Sequence, residues 1–62
     1  MMYQLMTPEE SIEVDNNVML KSLAFSKSER RILRNIYNTC HTFQDKLYFH
    51  NKYMKIYLDR MN

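Results

Sequence analysis

The apolar positions of this 62-residue chain fall into two unequal blocks. In the second block Leu33, Cys40, Leu47, Met54 and Met61 recur every seven residues, with Ile36, Phe43, His50 and Tyr57 recurring between them. Alternating spacings of three and four put both rows on one stripe of one helix. Neither Gly nor Pro occurs between Ser26 and Asn62 to stop that helix. The pattern predicts a long helix over residues 27–60 carrying a coiled-coil-like seam. Phe49, Tyr53 and Ile56 add an apolar row beside it.

The first block opens on Thr7-Pro8-Glu9-Glu10. Thr7 suits a cap, Pro8 the first helical position, and Glu10 the closing position of a capping box. A helix is expected over 8–24, preceded by a frayed end at 1–6 or by a lid formed from it. Ile12, Met19, Leu20 and Leu23 lie on one side of this helix, and Val14, Val18 and Phe25 on the other. Apolar residues on two sides imply cover on two sides. Ser26-Lys27-Ser28-Glu29 is a second capping signature, so a short link around Phe25–Ser26 joins the two helices antiparallel. The expected fold is all-α: one domain over 1–62, built as a helical hairpin. The absence of Gly agrees with this, because hairpin turns that need positive φ have nothing to supply them.

The lengths expose a conflict. At 1.5 Å per residue the long helix spans roughly 50 Å and the first about 25 Å. A compact domain of this size has a radius of gyration near ~11 Å. Either the long helix projects and pairs with a second copy as a homodimer, or it breaks. The candidate break is Asn38-Thr39-Cys40-His41-Thr42. None of these residues favours helix, and together they cost about 2–3 kcal/mol relative to Ala. Thr39 or Thr42 would then cap a third helix. The heptad register runs through the segment without a slip, so the hairpin is the principal expectation and the three-helix chain the alternative.

Size and chemistry narrow the function. A chain this short buries only about 60% of its unfolded surface, and small folds commonly lean on disulfides, metals or another chain. Cys40 is the single cysteine, so no internal disulfide forms. Cys40 and His50 stand about 15 Å apart on a straight helix, too far to share one ion. No metal site and no cofactor are expected. Nothing resembles a catalytic carboxylate pair, a nucleophile triad or a Gly-rich phosphate loop, and an enzyme is not expected. The principal functional expectation is a small regulator or inhibitor that binds another protein through its helical faces. Phe49, His50, Tyr53, Met54, Ile56, Tyr57 and Met61 are the candidate partner-binding residues, because aromatic residues and Met are enriched at interface centres.

Charge adds a second possibility. Residues 1–20 hold Glu9, Glu10, Glu13 and Asp15 and no Lys or Arg, whereas residues 21–62 hold nine cations against Glu29, Asp45 and Asp59. Lys27, Arg30, Arg31 and Arg34 form a basic cluster at the start of the second helix, with Lys21 nearby. Such a cluster suits phosphate contacts, and the alternative expectation is a dimeric DNA-binding transcriptional regulator. No window approaches the ~18 apolar residues of a membrane span, and no signal-peptide pattern opens the chain. With one unpaired cysteine, a cytoplasmic protein is expected. Asn, Lys, Tyr, Ile and Phe supply 23 of the 62 residues, which points to AT-rich codons and suits a phage or mobile-element origin.

Overall fold

Thr7 starts the first helix as its sequence requires. Its hydroxyl accepts from the Glu10 backbone N–H at 3.2 Å, and Pro8 occupies the first turn. The computed structural model describes residues 5–62, with α1 at Pro8–Leu20, α2 at Lys27–Asn38 and α3 at Phe43–Met61. The chain is all-α, with no strand among the described residues. Leu5 and Met6 precede α1 and are exposed. The expectation of a frayed end or lid at residues 1–4 lies outside the described residues.

The first helix ends at Leu20, four residues before the expected Ala24. The reason is local. Ser22 Oγ accepts from the Ala24 N–H at 3.1 Å, which stabilises a turn in place of another helical residue. Carbonyls at the helix end receive donors from α2: Arg34 Nη2 donates to Leu20 O and Arg30 Nη1 to Ser22 O, both at 3.3 Å. These bonds satisfy orphan groups of the helix end and its exit. Phe25, released from the helix, turns inward and stacks on Tyr57 with ring centroids 6.4 Å apart.

α2 begins with a complete capping box. Ser26 Oγ accepts from Glu29 N–H at 3.2 Å, and Glu29 Oε1 accepts from Ser26 N–H at 2.9 Å. The expectation of one helix from Lys27 to Arg60 is corrected here: the chain breaks at Thr39–Thr42, and the three-helix alternative fits. Thr39 N–H and Oγ1 both donate to Ile36 O, and Cys40 N–H donates to Tyr37 O, closing the last turn of α2. Thr42, extended at φ −116° and ψ 161°, then caps α3 by accepting from Asp45 N–H at 3.2 Å. Side chains that bond their own backbone compete with helix continuation, and here they outweigh the heptad register.

The break lets α3 fold back along α1. Partners climb together along α1 with its exit turn and α3: Glu13 with Lys46, Asp15 with His50, Ala24 with Arg60. On α2 the order reverses, with Arg34 at Leu20 and Tyr37 at Glu13. The path is therefore up, down, up, and α1 packs principally on α3. Met19, Leu20, Phe25, Leu33 and Phe49 form the core, with Ile36, Tyr37, Cys40, Tyr53, Met54 and Tyr57 packed around it. Phe49 lies between Tyr37 and Tyr53 at ring-centroid distances of 5.3 and 4.9 Å, within the range of favourable aromatic pairs. The fully buried Asn16 ties α1 to α3 by donating from Nδ2 to Lys46 O at 3.2 Å.

The seam and sandwich expectations need correcting as well. Val14 and Val18 are 46% and 53% exposed, so α1 is covered on one side only. The heptad stripe does not form one buried edge: Leu33 is in the core, whereas Met61 is 60% exposed. With the helix broken, α3 sets its own register, and Phe49, beside the old seam, becomes its most buried residue. The principal extents are 41 × 28 × 16 Å and the radius of gyration is 12.5 Å. That exceeds the ~11 Å of a compact chain of this length. A slab this thin leaves each helix a face with no internal cover.

Two acids fasten the slab. Glu13 accepts from the Tyr37 hydroxyl and from Lys46 Nζ, the latter at 2.9 Å. These bonds hold the Glu13 carboxyl below its usual range, the Tyr37 bond contributing most. Tyr37 moves the other way: burial, reinforced by Glu13, pushes its phenol well above the ordinary tyrosine range. Glu29 accepts from Arg60 Nη1 at 2.9 Å as well as from the Ser26 N–H. Arg60 first, then that cap bond, bring Glu29 from an ordinary 4.5 down to about 2. A carboxyl whose folded value is depressed adds stability above its unfolded value and loses it as pH falls toward the folded one. The Glu29 contribution is therefore full above 4.5 and gone near 2. Glu29→Gln should be less stable than wild type at neutral pH and show a smaller further loss over that acid range. Denaturant midpoints at stepped pH check this; parallel curves for the two proteins would remove Glu29 from the account.

Candidate interaction surfaces

α2 and α3 diverge enough to leave an apolar groove between them. At one end Ile32, Leu33, Ile36, Tyr53 and Ile56 line a depression of about 230 Å³, rimmed by Glu29 and Arg60. A second depression, of about 310 Å³, continues toward the break between Cys40, Asp45, Tyr48 and Lys52. Ile36 and Tyr53 line both, so the two form one channel along the helix pair. Ile32 is 58% exposed and Ile56 40% exposed. Leu58 and Met61 extend the exposed apolar residues along the last turns of α3. The ion pair between Glu29 and Arg60 fixes one rim, and Arg60 also sits 5.0 Å above the Phe25 ring. At the far end burial, then the Asp45 carboxylate, push the Cys40 thiol up and keep it protonated. A protonated, partly buried thiol is a poor nucleophile, and Cys40 acts here as a small apolar residue.

The residues expected to bind a partner divide by position. Tyr53 and Ile56 line the groove, and Met61 lies exposed at the end of α3. Met54 and Tyr57 are half-buried against the core and line neither depression. His50 is half-buried and faces α1, with Nε2 3.3 Å from Asp15 Oδ2. Phe49 is 1% exposed and reaches the groove only as part of the lining of the second depression. Ile32 and Ile36 are the groove residues that sequence reasoning missed. Their signal was available: on α2 they sit opposite the basic residues, at positions that α1 does not cover.

The basic cluster is assembled on the other side of α2. Lys21, Lys27, Arg30, Arg31 and Arg34 line one concavity of about 490 Å³, joined by Asn35 and Asn38. No ion pair among the described residues involves any of these five cations. Of the N-terminal acids, Glu13 pairs with Lys46 and Asp15 with His50.

No protein-family model matches this chain, and no curated protein or solved structure matches it. The functional reading rests on these two surfaces. Among the described residues no group of three or more His, Cys, Asp or Glu gathers as a metal-ligand set. Among the described residues no helix is long and apolar enough to cross a membrane.

Proposed function

We infer that this chain is a small non-enzymatic regulator or inhibitor that binds a protein partner along the groove between α2 and α3. The observation that carries the reading is the pair Ile32 and Ile56, 58% and 40% exposed at the mouth of a groove floored by Leu33, Ile36 and Tyr53. An amphipathic helix with apolar anchors one turn apart fits such a channel, the usual mode of helix-in-groove recognition. Glu29, Arg60, Asp45 and Lys52 supply charges of both signs along the rim, which set orientation more than affinity. A cytoplasmic setting and a mobile-element origin belong to the same proposal.

Charged substitution at the anchors tests it. Ile32→Asp with Ile56→Asp should leave the helical circular dichroism unchanged, because both side chains are exposed. The double variant used as bait should fail to retain the protein that wild-type bait retains from source cells. With that protein purified, affinity should fall about 100-fold or more, as for loss of central anchors. Equal affinity of the folded double variant and wild type for the purified partner would contradict the proposal.

A further inference from the structure

The concavity on the far side of α2 is separate from the groove. We propose that this face binds duplex DNA, with α2 lying in the major groove. Three features of the face point there. Lys21, Lys27, Arg30, Arg31 and Arg34 are gathered in one place without a carboxylate partner among the described residues. Concentrated positive charge of this kind is the footprint of phosphate binding. Arg30 and Arg34 each give one N–H to a carbonyl at the end of α1, which holds their planes in place and leaves further donors free.

The second feature is what the face lacks. Its lining contains no apolar residue. Protein interfaces need an apolar or aromatic centre, and a membrane-surface helix needs an apolar side to insert. A surface of cations and amides alone fits a polyanion better than either. The third feature is the amides themselves. Asn35 and Asn38 lie three residues apart among the cations. Asn pairs with adenine and Arg with guanine through the base edges of the major groove, which admits one α-helix. In this placement Lys21 and Lys27 meet phosphates at the edge, and Asn35 and Asn38 reach inward. Arg31 is fully available, being exposed and free of side-chain hydrogen bonds among the described residues.

The full chain is titrated into a fluorescein-labelled duplex of mixed sequence, with anisotropy read over a range of salt. Binding should weaken steeply with salt, with a log–log slope of about −3 to −5 for that many cations. Lys27→Glu with Arg31→Glu should lower affinity at least tenfold and flatten the slope by about 2, the direct consequence of two lost contacts. The neutral changes Ile32→Ser with Ile56→Ser should leave both quantities unchanged, which separates this face from the groove. Selection from a random duplex pool should enrich a sequence, and Asn35→Ala with Asn38→Ala should erase that enrichment without altering the slope. Failure of the wild type to bind duplex at low salt would overturn the proposal. So would equal binding by the charge-reversed variant, or tighter binding to phosphatidylglycerol vesicles at matched phosphate. A pool with no enriched sequence would overturn the placement of α2 in the major groove.

Discussion

Phe49→Ala should lower folding stability by about 3–5 kcal/mol, the usual cost of deleting a fully buried Phe. Phe49 is 1% exposed and touches Tyr37 from α2 and Tyr53 from α3. Its loss removes the most buried ring by which the returning helix joins the core. Domains hold only about 0.05–0.15 kcal/mol per residue, so this substitution consumes most of what a chain of this length has. The variant should be largely unfolded at room temperature, with its helical circular dichroism reduced and no cooperative thermal transition. The same reasoning predicts that truncation after Leu47 unfolds the protein. A Phe49→Ala protein that melts within a few degrees of wild type would mean that α3 packs by another face.

Met19→Ala should cost about 2–5 kcal/mol, whereas Val18→Ala, one residue away, should stay within about 0.5 kcal/mol. Met19 is fully buried beside Leu20, Leu33 and Phe49, and Val18 is half exposed. The contrast measures which side of α1 is covered. Denaturant titration of the two variants gives both values. A Val18→Ala cost as large as that of Met19→Ala would show α1 sandwiched on both sides, as its two-sided apolar pattern suggested.

The helix starts were legible because each is written in a few adjacent residues. Thr7-Pro8 and Ser26-x-x-Glu29 cap as their chemistry requires, and the basic cluster at Lys27, Arg30, Arg31 and Arg34 is continuous in space as in sequence. The break was harder to place. Two signals conflicted there: the heptad spacing through Cys40 favoured continuity, and the poor helix formers from Asn38 to Thr42 opposed it. Tertiary packing decides between them, since only a broken chain brings Phe49 against Tyr37 and Asn16 against the Lys46 carbonyl. Periodicity carries no information about such a return, which explains why Phe49 read as a surface residue. The groove was illegible for a related reason. Ile32 and Ile36 face α3 only after the turn at Thr39–Thr42 has reversed the chain, so their partners Tyr53 and Ile56 were assigned to a surface without them.

The proposed contact requires the α2–α3 groove to be open in a single copy of the chain. Methyl relaxation by a soluble paramagnetic agent, read on dilute protein shown to be monomeric by sedimentation, tests this directly. Ile32, Ile56, Leu58 and Met61 methyls should be strongly attenuated, and those of Met19, Leu20 and Leu33 should be spared. Protection of Ile32 and Ile56 equal to that of Met19 in the monomer would show the groove already filled by the chain itself, and the proposed contact would have no place to form.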